Sequence, residues 1–98
     1  MSHVQYQAAA KADLINAWLQ IATDSPERAD TYLSRLQEIC ELLAGQPEMG
    51  LDRPDIAAGV RSFPVDQYVI FYEQHGETIA VLRIWHAAQD PRSFSLDV

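Results

Sequence analysis

A guanidinium, an imidazole and a carboxylate follow one another in "IAVLRIWHAAQD" (residues 79–90), as Arg83, His86 and Asp90. Apart from Arg83, the first seven residues are aliphatic or aromatic, as in a strand buried on both faces. Burying a lone guanidinium is costly, so Arg83 must reach a carboxylate, carbonyls or solvent. It is either a solvated or salt-bridged group on a partly open sheet face, or part of a small cationic patch with Arg61 of a neighbouring strand. Such a patch on the uncovered face would suit a phosphate or a partner carboxylate. His86 with Asp90 four residues on has the composition of an acid–base pair. The same two groups at a strand terminus can instead brace the exit turn by hydrogen bonds, and that reading is the stronger.

Other chemistry has weaker support. Cys40, the single cysteine, excludes an internal disulfide and a cysteine zinc cluster, and it falls on an apolar helix stripe as a packing residue. His3, His75 and His86 lack a tight metal-ligand spacing, and the four glycines mark turns rather than a phosphate loop. No catalytic nucleophile, metal or cofactor is expected. Fourteen acids against seven bases leave a net charge of −7, which disfavours autonomous grip on phosphate backbones.

The elements that must position these groups fall into two halves. From about Ala8 to Thr23, Leu14, Ile15, Trp18, Leu19, Ile21 and Ala22 form a wide apolar arc, with Asp13, Asn16 and Gln20 on the other side of the helix. "TDSPER" restarts a helix, with Ser25 as cap, Pro26 in the first turn and Glu27 favourable to the dipole. Its apolar stripe runs through Ala29, Tyr32, Leu33, Leu36, Ile39, Cys40 and Leu43, and Gly45, as a left-handed cap, and Pro47 are expected to end it. So short a link makes the pair an antiparallel hairpin.

After a loop with one helical turn expected at Arg53–Ala57, "VRSFPV", "QYVIFYE" and "TIAVLRIWH" read as a three-stranded antiparallel meander, with "HVQY" a fourth, edge strand. The fold class is α+β: a helix hairpin on one face of a three- to four-stranded antiparallel sheet, the other face bare. Strict alternation puts Ile79, Val81, Arg83 and Trp85 on one side of the last strand and Ala80, Leu82, Ile84 and His86 on the other. Arg83 is expected on the side away from the helices.

One domain over residues 1–90 and a weakly ordered tail over 91–98 are expected. The 48% apolar and 21% charged fractions are ordinary for a soluble globular chain. No run approaches the roughly 20 apolar residues of a membrane span. "MSHVQYQ" lacks a secretory pattern, so the expected compartment is cytoplasmic.

The "DSPE.AD" helix junction, the "P.MG" loop, "RSFPV..YVIFY" and the strand running through Arg83 and His86 to Asp90 occur in an order and spacing spanning about nine-tenths of the chain. By these marks the sequence resembles the ParE branch of the ParE/RelE toxin superfamily of bacterial toxin–antitoxin modules. The resemblance implies a toxin that inhibits DNA gyrase and is neutralised by a cognate ParD-like antitoxin, which wraps it with a helix and an extended segment. Ribosome-dependent mRNA cleavage, as in RelE-type members, is the enzymatic alternative, and a non-toxic antitoxin-binding relative is a third. Nuclease members use basic residues with a tyrosine or histidine near the C-terminus. Arg61 and Arg83 match that basic set, but the tail after Asp90 offers Arg92, serines and Phe94. Where many relatives read His-Gly-x-Arg-Asp, this chain reads His86-Ala87-Ala88-Gln89-Asp90.

Target contacts are therefore expected at Arg61, Arg83, Gln89 and Arg92, and antitoxin contacts at Leu14, Trp18 and Ile21. The antitoxin should add a strand to an exposed sheet edge and lay a helix in an apolar groove.

Overall fold

The structure is a computed structural model, described here for residues 3–89. The short strand β1 (Val4–Tyr6) leads through Gln7 into α1 (Ala8–Ala22), and after a tight turn α2 (Pro26–Gly45) runs back. Ser25 caps α2 as its composition requires, its Oγ accepting from the Arg28 N–H at 3.2 Å. The other end differs from expectation. Gly45 is the last helical residue, and the chain leaves through Gln46 at φ −139°, with no left-handed cap. The cause is Pro47, which starts a 3₁₀ turn (Pro47–Met49) and drives the residue before it towards extended backbone.

The remaining strands are β2 (Leu51–Asp52), β3 (Val60–Val65), β4 (Tyr68–His75) and β5 (Thr78–His86). Between β2 and β3, the Ala57 N–H donates to the Arg53 carbonyl, closing the helical turn expected there. Asp66 (φ 54°) and Gly76 (φ 62°) turn the two hairpins of the meander, where left-handed backbone favours such residues.

The sheet has five strands in the order β1-β5-β4-β3-β2. It is antiparallel except that β1 pairs parallel with β5, Val4 beside Ile79. No hairpin ties β1 to β5, so its direction is free of the meander. Gln7, whose N–H bonds the Val81 carbonyl, passes the chain directly into α1. Strand β2 is two residues long, too short to stand out from a loop by composition.

Both helices pack on one sheet face. Leu14, Ala17, Leu36, Cys40 and Leu43 meet Val65, Ile70, Tyr72, Ile79, Val81 and Ile84 in a single core. At roughly 1.5–3 kcal/mol per fully buried large aliphatic or aromatic side chain, this layer is the main source of stability.

Strict alternation along β5 fails at one place. Phe71 of β4 pairs with Arg83 but Tyr72 pairs with Val81, so Leu82 is an extra, bulged residue. The bulge returns Ile84 to the helix-facing side beside Ile79 and Val81, which unbroken alternation would put on the opposite face. Arg83 shares the face of its partner Phe71, away from the helices, as expected. That face is not bare. Val60, Ser62, Phe71 and Ala80 are all buried. Arg53 lies over the Phe71 ring at 5.6 Å and donates from Nη1 to Ser62 Oγ at 3.3 Å. The loop between β2 and β3 thus contributes to a second, thin layer.

Candidate functional site

Among the described residues, strand β1 pairs with β5 only as far as Val81, and the Ile84 N–H beyond it takes no strand partner. Helix α1 supplies the substitute. Asp13 Oδ2 accepts from the Ile84 N–H at 3.0 Å and from Arg83 Nε at 2.8 Å, while Oδ1 accepts from Arg83 Nη2 at 3.0 Å. A fork of two parallel charge-assisted bonds is the strongest common form of ion pair. With 17% and 12% of the two side chains exposed, it is shielded from solvent screening. The guanidinium also lies 4.8 Å from the Trp85 ring centre. Although Arg83 faces away from the helices, its head wraps the sheet edge to reach one of them.

An open groove of about 750 Å³ runs along this seam, lined by Asp13, Gln20, Arg83, Trp85, His86 and Gln89. The Trp85 indole N–H donates to the Gln89 carbonyl at 3.2 Å, and the Gln89 N–H donates to the His86 carbonyl. His86 Nδ1 accepts from the Ala88 N–H at 3.1 Å, and its ring meets Tyr68 edge-on at 5.1 Å. One imidazole nitrogen is thus engaged by the main chain of the turn.

Around the corner a second depression, about 920 Å³, lies between the start of α2 and the β3–β4 turn, with Gln20, Tyr68 and His86 common to both. The Tyr68 hydroxyl donates to Gln20 Oε1 at 2.8 Å, and Arg35 pairs with Asp66 at 2.9 Å. The Tyr32 hydroxyl donates to the Val65 carbonyl. Burial first, then the Asp66 charge, pushes the Tyr32 phenol up to about 12, and burial raises Tyr68 as well, so both stay protonated donors at neutral pH.

Of the expected target residues, Arg83 and Gln89 line one groove, but Arg61 does not join them. Arg61 pairs with Tyr72, on the helix-facing side, and donates from Nη1 to the Gly50 carbonyl at 2.8 Å. The expected Arg61–Arg83 patch is therefore not formed, because the two arginines occupy opposite faces with β4 between them. Arg61 belongs instead to a polar corner around Tyr72, whose hydroxyl donates to the Pro47 carbonyl at 2.6 Å and accepts from the Gly50 N–H at 2.9 Å. A Cβ on Gly50 would overlap that hydroxyl. Gln89 is exposed beside Trp85, whereas Asp90 and Arg92 lie outside the described residues.

The three expected antitoxin contacts separate in a similar way. Leu14 is 9% exposed and part of the core, so it is corrected from surface to packing. Trp18 is half-buried, its indole N–H donating to Asp30 Oδ1 at 2.7 Å across the hairpin, and Ile21 is half-buried in the wall of the second depression. The bare apolar residues of α1 are Ile15 and Leu19, 62% and 55% exposed. A wide apolar arc does not show which of its margins meets the sheet; at 100° per residue, Ile15 and Leu19 sit on the margin farthest from Ala10, Leu14 and Ala17. Asp13 was also missed. The available signal was the requirement for a carboxylate near Arg83, but nothing local identified which of fourteen acids supplies it. Cys40 is wholly buried, and burial pushes its thiol up to about 11, as suits a packing residue.

These features define a small α+β domain with an antiparallel helix hairpin roofing a mostly antiparallel sheet and a polar seam at the β5 edge. A solved structure described as the chromosomal ParDE TA system from P. aeruginosa has this fold: TM-score 0.72 and 24% identity, over 88% of this chain and 96% of that one. Residues 4–91 match the family described as the ParE toxin of type II toxin-antitoxin system, parDE, and the chain belongs to that family. It is 34% identical over 56 residues to Toxin ParE3 of Caulobacter vibrioides, covering 57% of this chain and 56% of that protein. It is 32% identical over 65 residues to Toxin ParE1 of Mycobacterium tuberculosis, covering 65% of this chain and 66% of that protein. The matches thus span less than two thirds of those relatives' own lengths.

Proposed function

We propose that this chain is the toxin of a two-protein module, that it acts by binding DNA gyrase rather than by catalysis, and that a cognate ParD-like antitoxin neutralises it in the cytoplasm. The family match over residues 4–91 carries this reading. Among the described residues no helix is long and apolar enough to cross a membrane, and the net charge of −7 argues against autonomous nucleic-acid binding. Gyrase contacts fall to Arg83 and Gln89 at the β5 end of the molecule, and to Arg92, which lies outside the described residues. His86 braces the turn after β5, and the same role is proposed for Asp90, which lies outside the described residues. Arg61 has a structural role at the Tyr72 corner.

The decisive experiment is expression of the chain with and without the product of the adjacent short open reading frame. Growth arrest with DNA-damage signalling, intact transcripts and inhibited supercoiling by purified gyrase is the expected result, reversed by the second protein. Cleaved mRNA in a translating extract would replace this reading with a ribosome-dependent ribonuclease. Harmless expression would mark a relative that binds an antitoxin without poisoning a target. The Asp13–Arg83 fork favours that last reading over the ribonuclease, since it neutralises a cation of the matched basic set.

A further inference from the structure

The outer surface of the helix hairpin is built from two strips of different chemistry. Along α1, Ala8, Ala12, Ile15 and Leu19 are all exposed, and at 100° per residue they share one side of the helix. Along α2, Glu27, Asp30, Glu38 and Glu41 are exposed as well and fall within an arc of about 80° at the same spacing. The Trp18–Asp30 hydrogen bond joins the helices and sets the strips side by side. The hairpin has three bases. Arg28 and Arg35 lie on a flank of α2 roughly 100–120° around the helix from the middle of the acidic arc, where Arg35 pairs with Asp66, and Lys11 alone lies near the apolar strip.

An apolar ridge beside an acidic one selects its occupant by charge. A second copy joined through this face would bring acidic ridges into the same interface, with like charges opposed across desolvating surface. An anionic bilayer or a nucleic acid would meet the same repulsion. We infer that this face docks an amphipathic helix of a partner protein whose apolar stripe is flanked by lysine or arginine. The inference rests on the reading of the chain as one half of a toxin–antitoxin pair and gives the chemistry of the other half: a toxin-binding segment that is basic, to match an acidic toxin. Apolar contact at Ile15 and Leu19 supplies the affinity, and the acidic ridge supplies encounter rate and discrimination.

Two fluorescein-labelled helical peptides of about eighteen residues test this, each with the same leucine stripe but one flanked by lysine and the other by glutamate. Fluorescence anisotropy with the full chain should give binding of the lysine peptide at least about tenfold tighter in about 50 mM NaCl, with the preference shrinking in about 500 mM NaCl. Leu19→Ser should abolish binding, and Glu27→Lys with Glu38→Lys should reverse the preference; circular dichroism verifies that these surface variants fold. Failure of both peptides to bind, equal binding, a glutamate preference, or a preference untouched by the double variant would overturn the inference. So would a dimer in sedimentation that Leu19→Ser dissolves. Charge-selective binding by a chain that proves harmless in cells would leave the inference standing and remove the toxin reading. A toxic chain without charge selectivity would do the reverse.

Discussion

On one flank of α1, Asp13 and Gln20 reach inward to the sheet, the first to Arg83 and the Ile84 N–H, the second to the Tyr68 hydroxyl. On the other flank, Ile15 and Leu19 stand in solvent at more than half exposure. The polar flank is thus anchored and part of the apolar flank is bare, the reverse of the usual arrangement on an amphipathic helix. What lies opposite each flank explains the difference. Beyond Val81, β5 presents the Ile84 N–H, which no described strand satisfies, and a carboxylate is a better match for it than a methyl group. The Asp13 carboxylate thus occupies the Ile84 N–H of the β5 edge, while β1 and β2 are the outermost strands of the sheet among the described residues. Beside Ile15 and Leu19 runs the outer side of α2, and nothing in the described chain roofs it.

The comparison can be broken most directly at Asp13. Asp13→Ala removes one partner of a largely desolvated ion pair and an acceptor for a main-chain N–H, and should cost about 3 kcal/mol. The urea midpoint measures it, and a loss under about 1 kcal/mol would mean the polar flank is not an anchor. Leu14→Ala, at the centre of the inward face, should cost about 2–3 kcal/mol by the same measurement, as a core truncation does. A smaller loss than that of Leu19→Ala would invert the assignment of inner and outer faces.

Farther along the same seam, His86→Ala should cost about 1 kcal/mol, through the lost acceptor for the Ala88 N–H and the lost ring contact with Tyr68. Its affinity for gyrase should be nearly unchanged. A large drop in target affinity at unchanged stability would move His86 from the bracing set to the contact set. The smallest effect belongs to the bare flank. Leu19→Ser should leave the thermal midpoint within the shift expected of about 0.5 kcal/mol, since the side chain leaves water only when a partner docks. A marked destabilisation would show that Leu19 is already packed within the monomer.

Much of this architecture could be read before any coordinates. The helix hairpin followed from two apolar periodicities and the "SPE" junction between them, where Ser25 caps as expected. The three long strands followed from β-branched and aromatic runs separated by turn residues. The parallel pairing of β1 and the short β2 did not follow, because three- and two-residue strands carry too little pattern. The Leu82 bulge also escaped: an extra residue in a strand leaves no mark on composition, yet it changes the face of every residue before it relative to those after. Arg61 and Arg83 looked like partners since both are basic residues on neighbouring segments; register placed them on opposite sides.

The amino-acid string by itself determined the helices, the long strands, the acidity and the family, because periodicity, capping and motif order are local or cumulative properties of a chain. Only the tertiary structure decided which carboxylate meets Arg83, which margin of the α1 arc faces water and which residue bulges from β5. Those choices depend on groups distant in sequence that compete for one place, such as Asp13 and Arg83, seventy positions apart. No local pattern encodes the outcome of that competition; packing geometry does.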